Sequence, residues 1–525
     1  MDCTCVRQTE LPHTSRLFAD YAYRPDRLTA FYPHPKHDLA ACERAAREVA
    51  LPDDRRAALV EALRPLNPAS RSLELLAQPG TVAVVTGQQV GLFSGPSYTV
   101  YKALTAVRLA RELTARGIPA VPMFWLATED HDFAEVDHCW VFDPEHRPVK
   151  LQMQRAPAST QPVGEVTLGA PPVEELRQAL AGLPFADEVA GAVAAAYVPG
   201  RTMGAAFSAL LKTLLGPYDL IHVDPMAPAM RRLAAPAMRA ALAGADELST
   251  ALLARNRALI EAGYHAQVHV EESTSFVFLL ENGRRLALRR HGADYVLNGR
   301  RLPAAELMER AHELSPNALL RPVVQDSMLP TAAYVGGPAE LAYLAQSAVI
   351  YERVAARMPA AVPRSGFTLL DARARKLMER YGLCLGDFFQ GREALKERVA
   401  VRLIPPHLAG VLSETKSAVE AAVGRLEREV AAFDPTLGAA LAKSRGKMLY
   451  QLEKSERKAG REIMARDSRA AADAAYLYGL IFPERHLQER LYSAVPFLAK
   501  HGMELVDRIY ESVRLDCPDH QLVTL

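Results

Sequence analysis

At 525 residues the chain is longer than one compact core normally holds, so two to four domains or subdomains are expected. Its 62 basic and 61 acidic side chains leave no basic excess for nucleic-acid phosphates, which argues against a nucleic-acid partner. No apolar run approaches the roughly 20 residues that span a bilayer, so no membrane insertion is expected either.

The opening stretch, MDCTCVRQTE, lacks the charged-then-apolar order of a signal peptide, and a cytoplasmic location is the expectation. Of the six cysteines only Cys3 and Cys5 lie close together; the rest form neither a zinc-like pairing nor a disulfide framework. Cys3-x-Cys5 has the spacing of a metal or redox pair, although a frayed terminus explains it as well.

Val82–Thr86 reads as a buried parallel strand, short, β-branched and ended by glycine. Ser97 to Arg116 suits a helix, with Pro96 ahead of it and Gly117 as its stop. IPAVPMFWLAT (118–128) is a second strand, and strand–helix–strand in this span is a βαβ unit of a parallel sheet. Beyond residue 137, WVFDPEHRPVKLQMQ and VGEVTL look like antiparallel strands, followed by Ala-rich helices to about residue 215. YDLIHVD (218–224) resumes the parallel type, and Pro225 starts another helical stretch. In 266–290, two β-rich arms flank Glu281-Asn282-Gly283, a hairpin signal.

The expected fold is α/β: a Rossmann-like parallel-sheet core over 1–385, with insertions at about 138–216 and 262–312. An α-helical region, 386–525, follows. There Leu412, Val419, Leu426 and Phe433 repeat every seven residues, with Val423 and Val430 as the alternate seam. Asp434-Pro435 breaks the pattern, and Leu441, Met448, Leu452, Ala459 and Ile463 mark a second helix. The pair reads as an antiparallel helical hairpin whose sparse seam favours pairing with a second copy of the chain.

Three stretches carry candidate chemistry. After the first strand, Gly87, Gly91 and Gly95 follow G-x-x-x-G-x-x-x-G, which fits neither a dinucleotide fingerprint nor a P-loop. Thr86, Gly87, Gln88 and Gln89 nevertheless stand where open α/β sheets bind ligands, with backbone N–H groups for anions and amides that donate and accept. After the second strand, ATEDHDFAEVDH brings Glu129, Asp130, His131, Asp132 and Glu135 together. If 131–138 is helical, His131 and Glu135 share a face, and a carboxylate beside His131 makes it a general base. The same donors would also suit a divalent metal, and a solvated acidic helix start is the bland alternative. In the third stretch, 315–346, Asn317, Arg321, Gln325 and Asp326 are polar islands in an apolar run. Arg321 can grip a carboxylate or phosphate in a fork, and Gly336-Gly337-Pro338 resembles an anion-friendly helix opening. PERHLQER (483–490) reads as a surface helix.

Taken together, VVTGQQVGLFSGPSYTVYKALTA, FWLATEDHDFAEV, SPNALLRPVVQDSMLPTAAYVGGPAELAYLAQ and FPERHLQER resemble the bacillithiol biosynthesis cysteine-adding enzyme family, BshC, along nearly the whole chain. Val90 stands where that family's motif often has proline. The resemblance implies a ligase that joins L-cysteine to glucosaminyl-malate, the last step to bacillithiol. It implies a Rossmann-like core with two connecting-peptide insertions and a coiled-coil domain that mediates homodimers. Gly87, Gln88 and Gln89 would orient a carboxylate or phosphate, Asp130, His131 and Asp132 would handle the amine, and Asn317, Arg321 and Gln325 would hold the malyl group or cysteine. No cofactor is certain; ATP or ADP is compatible with the chemistry. A metal-dependent amidase using Asp130, His131 and Glu135, and a non-catalytic coiled-coil scaffold, remain as alternatives.

Overall fold

The computed structural model describes residues 3–154 and 160–525, and of Cys3 only the backbone. Contacts divide the chain into two compact units, one of Met1–Pro144, Pro148–Thr368 and Gln488–Val523, the other of Glu145–Arg147, Leu369–Leu487 and Thr524–Leu525.

The first unit is built on five parallel strands: β1 (Val82–Gln89), β2 (Ala120–Ala127), β3 (Ile221–Val223), β4 (Thr331–Gly336) and β5 (Ala360–Pro363). Their spatial order is β3-β2-β1-β4-β5, the doubly wound order of a Rossmann-like sheet, so the chain reverses direction across the sheet between β1 and β4. Burial on both faces explains why these strands are apolar almost throughout rather than alternating. The strand period of two still sorts the side chains. Val82 and Val84 join the core that Ala106, Leu109 and Leu113 of α1 (Tyr98–Ala115) build, whereas Ala83 and Val85 face the opposite core with Trp125 and Tyr334.

Strand β1 extends three residues beyond the expected Thr86, so Gly87, Gln88 and Gln89 are strand rather than loop. Gly87 is required where it stands: a Cβ there would lie 2.8 Å from the Trp125 carbonyl oxygen on β2. The expected antiparallel pair after β2 forms, His138–Phe142 against Pro148–Gln152. VGEVTL does not form a strand. Val163–Glu165 is a short 3-10 turn, Gly164 donates to Thr128 O, and only a single bridge joins Thr167 to Thr202. The second hairpin pairs Val277–Glu281 with Arg284–Ala287 around Asn282 and Gly283, at φ 52° and 69°, as a tight two-residue turn demands. Its first arm begins at Val277, later than the sequence suggests, because 266–276 is irregular.

In the second unit, α2 (Pro406–Phe433) and α3 (Pro435–Arg466) form the helical hairpin, and Asp434 caps α3 by accepting from the Thr436 and Leu437 N–H groups. Ion pairs Lys416–Glu456 and Arg445–Glu427 run in antiparallel register. Leu412, Val419, Val423 and Val430 are half-buried in this seam, but Leu426 and Phe433 are 53% and 86% exposed. A helix of 3.6 residues per turn drifts off a seven-residue repeat, which rotates the last heptad positions outward. Among the described residues no helix is long and apolar enough to cross a membrane.

Candidate active site

At the carboxyl ends of β1 and β4, where the strand order reverses, the first unit opens a cavity of ≈ 670 Å³. Because neighbouring strand residues point to opposite faces, Gln88 and Gln89 reach two different polar clusters.

Gln88 serves the basic side. Its Nε2 donates to Tyr98 Oη at 3.2 Å, and its Oε1 accepts from Lys102 Nζ at 3.0 Å. Lys102 comes from α1, is 3% exposed, donates also to Gly87 O at 2.9 Å and forms an ion pair with Glu340. Burial pulls the Lys102 ammonium below the ordinary lysine range, with Glu340 opposing. Burial works against the Glu340 charge as well, but Lys102, the Tyr334 hydroxyl and the Gly337 N–H outweigh it and hold that carboxyl below its usual range. Beyond them stand Arg321, Arg364 and Arg490. Arg321 donates to Gln325 Oε1 at 3.0 Å and to Tyr343 Oη at 2.9 Å. Arg364 is clamped by both oxygens of Glu489, at 2.6 and 2.9 Å. Arg490 is exposed and has no ion pair among the described residues.

Gln89 serves the acidic side, donating to Asp130 Oδ2 at 2.8 Å and Glu135 Oε2 at 2.6 Å. Burial tends to raise the Asp130 carboxyl, yet Gln89, Arg285 and the His131 N–H together hold it below the usual Asp range. Glu129 is 6% exposed, and its Oε1 has no hydrogen-bond partner among the described residues. Burial pushes its carboxyl up, against the pull of Arg285 and Ser315. An underbonded, desolvated carboxylate facing a cavity is a strong proton acceptor. Arg285 closes this end. It donates to Ser315 Oγ at 2.9 Å and Pro316 O at 2.8 Å, lies 3.9 Å over the Phe278 ring and reaches His131 Nδ1 at 3.0 Å.

The structure gathers Gly87, Gln88, Gln89, Asp130, Glu135, Asn317, Arg321 and Gly337 around one cavity. Thr86, His131, Asp132, Gln325 and Gly336 are not on its wall. Thr86 is buried and donates to Val335 O at 2.8 Å, and Gln325 is buried behind Arg321, which it orients. The helix expected over 131–138 is only Phe133–Val136, so His131 and Glu135 do not share a helical face. Arg285 rather than a carboxylate makes the shortest contact to His131 Nδ1, since Asp130 Oδ1 lies at 3.7 Å; burial and then Arg285 lower the imidazole pKa. This guanidinium also takes the place a cation would need between His131 and Asp130. Among the described residues no group of three or more His, Cys, Asp or Glu side chains has a ligand arrangement.

Two expected anion sites are filled from within. In the loop after β1, Gly91, Gly95 and Ser97 donate to Gln89 O, Leu92 O and Tyr492 O, and the Tyr197 hydroxyl donates to Gly91 O. Phe93 and Ser94 hold left-handed φ of 49° and 73°, so this is a buried, strained turn that aims α1 rather than an open cradle. At the start of Pro338–Val354 the Gly337 N–H donates to Glu340, and a carboxylate already occupies that helix end. The Asn317 carboxamide likewise caps Leu319 and Leu320 N–H.

Sequence reading missed Lys102, Tyr98, Arg285, Glu340, Arg364 and Arg490 as site residues. Arg285 sits in a hairpin and Lys102 mid-helix, where nothing local marks them, but the PERHLQER stretch did carry a signal. Glu489 there is 3% exposed, contrary to a surface helix, and Arg490 reaches the cavity.

Comparison with known proteins agrees along the whole chain. The family described as Bacillithiol biosynthesis BshC, N-terminal Rossmann-like domain, matches residues 1–365, and the BshC C-terminal coiled-coil domain matches 367–525. A Solibacter usitatus protein bearing the name "Putative cysteine ligase BshC" is 61% identical over 525 residues, covering 100% of both chains. Proteins of the same name from Koribacter versatilis and Salinibacter ruber are 37% and 32% identical, covering 99% and 97% of this chain and 99% and 96% of their own. A Rossmann-like sheet carrying the cavity, a coiled-coil hairpin, and both family matches end to end place this chain in the bacillithiol biosynthesis BshC family.

Proposed function

We propose that the protein is a ligase that forms an amide between the carboxylate of L-cysteine and the amine of glucosaminyl-malate, the last step of bacillithiol synthesis. The observation that carries the reading is the division of one cavity into a carboxylate-rich end, Glu129, Asp130 and Glu135 beside Arg285, and a cation-rich end, where Arg321 and Arg490 stand beside the ion pairs Lys102–Glu340 and Arg364–Glu489. An amine is attracted to the first and the malyl carboxylates to the second, which lays an amino sugar acid along the cavity in one direction. The cysteine-ligase name of the relatives supports the same chemistry.

Amide formation needs a deprotonated amine and an activated carboxylate. Glu129 accepts the proton of the ammonium group, and Asp130 and Glu135, fixed by Gln89, hold the amine until it attacks. Activation comes from ATP, with cysteine converted to an acyl phosphate with release of ADP, or to an adenylate with release of pyrophosphate, and phosphate or AMP leaves as the C–N bond forms. The exposed Arg490 and the fork of Arg321 receive that charge, because the Gly91, Gly95 and Ser97 N–H groups of the loop after β1 already donate within the protein. The chain works in the cytoplasm as a homodimer paired through the coiled coil, where Leu426, Phe433, Leu437 and Met448 stand exposed.

The test is incubation of the purified protein with cysteine and glucosaminyl-malate, with and without ATP, followed by mass spectrometry of the product. Product only with ATP is expected. No product in either arm, while a control extract forms it, sinks the single-protein ligase.

A further inference from the structure

The two ends of the chain meet in an antiparallel strand pair, with Cys5 opposite Gln521 and Val6 opposite His520. Cys517 lies in the loop just before this last strand, and its Sγ is 3.9 Å from that of Cys5. A disulfide needs about 2.05 Å, so the two sulfurs are near neighbours that still have to draw together, and Cys5 is exposed to reagents. The backbone around them is pinned. Gln8 Nε2 donates to Pro518 O at 2.8 Å, and Tyr23 Oη donates to Asp519 Oδ1 at 2.6 Å. Two thiols held together in this way have a high effective concentration for one another.

The remaining described cysteines are unlike this pair. Cys42 and Cys139 are buried, and burial pushes both thiols up to about 12, so they are closed to reagents. Cys384 is exposed, but no other cysteine sulfur is recorded in contact with it among the described residues.

We propose that Cys5 and Cys517 form a redox-modification site, which a low-molecular-weight disulfide converts into an intramolecular bridge. The exposed Cys5 thiolate attacks one sulfur of the small disulfide and displaces the first thiolate. The Cys517 thiolate then attacks Cys5 Sγ and displaces the second. Two protein thiols are oxidised to one disulfide, one small disulfide is reduced to two thiols, and the two protein protons pass to the departing thiolates. Burial and the neighbouring Cys5 raise the Cys517 thiol, which suits the second, intramolecular attack rather than the first. Arg514, held by the Asp516 carboxylate, lies close enough to interact electrostatically with both sulfurs. The bridge would staple the strand that carries His520, whose Nε2 lies 2.8 Å from Thr368 Oγ1.

The experiment treats the full-length protein with excess glutathione disulfide, blocks remaining thiols with N-ethylmaleimide, and maps peptides without reductant. A Cys5–Cys517 cross-linked peptide at least tenfold above any other cysteine pair is expected, and Cys3→Ser leaves it intact. Cys517→Ser abolishes it and traps glutathione on Cys5. Full alkylation of both cysteines, a bridge that maps to Cys3, or glutathione on both residues without a bridge overturns the proposal.

Discussion

Replacing Lys102 by methionine removes a buried charge while keeping most of its volume. Three acceptors then lose a charged donor: Gly87 O, Gln88 Oε1 and the Glu340 carboxylate. Breaking a buried ion pair by deleting one partner costs about 3–5 kcal/mol. Glu340 keeps the Tyr334 hydroxyl and the Gly337 N–H, so the lower end, about 3 kcal/mol, is expected. Glu340→Gln in the Lys102→Met background removes the orphaned charge and recovers about half of the loss, a coupling of at least about 1 kcal/mol. The pH dependence has a definite sign. In the wild type Glu340 titrates below its ordinary range, so its contribution is present above the unfolded carboxyl pKa and lost as pH falls through the folded value. Without Lys102 that carboxyl rises and escapes by taking a proton, so the loss at pH 5 is smaller than at pH 8. Urea unfolding followed by tryptophan fluorescence reads the relevant unit, because Trp125 and Trp140 both lie in it. A single-mutant loss below about 0.5 kcal/mol, or strictly additive single and double mutants, refutes the reasoning.

Four further outcomes are expected. Glu129→Gln lowers kcat by about 10²–10⁴ in the product assay and removes an acidic limb that lies above the ordinary glutamate range. Arg285→Ala raises the pKa of His131, since it deletes a cation that lowers it; an NMR titration of the imidazole reads this, and an unchanged midpoint counts against the contact. Gly87→Ala forces a Cβ against backbone on β2 and destabilises the fold by about 1–3 kcal/mol, seen as a lower Tm. Phe433→Asp, on an 86% exposed ring, leaves the monomer folded but turns the proposed dimer into a monomer in light scattering.

The fold was legible because its signals are local and periodic. The apolar runs at 82–86 and 118–128, the Asn282-Gly283 turn and the Asp434-Pro435 break each announce an element within a few residues. The strand ends were less legible: nothing in TGQQ says that pairing with β2 continues through Gln89. Of the site, residues clustered in sequence were found, because Asp130 and Glu135 lie on one short connection. Lys102, Arg285 and Arg364 were invisible for a physical reason: each is a lone charge whose partner lies far along the chain, as Arg364 and Glu489 do. The glycine loop misled because the N–H groups of Gly91 and Gly95 look free in the sequence but donate to Gln89 O and Leu92 O in the fold.

The alternation of Gln88 and Gln89 has a thermodynamic consequence. One peptide unit carries both the amide bonded to Lys102 and the amide bonded to Asp130 and Glu135. A ligand that draws on either side chain therefore pulls on the same strand end. Any coupling between ligands at the two ends is reciprocal: whatever factor one imposes on the affinity for the other, the other returns. Substituting either glutamine is thus expected to change how ligands at the two ends sense each other as well as how each is held.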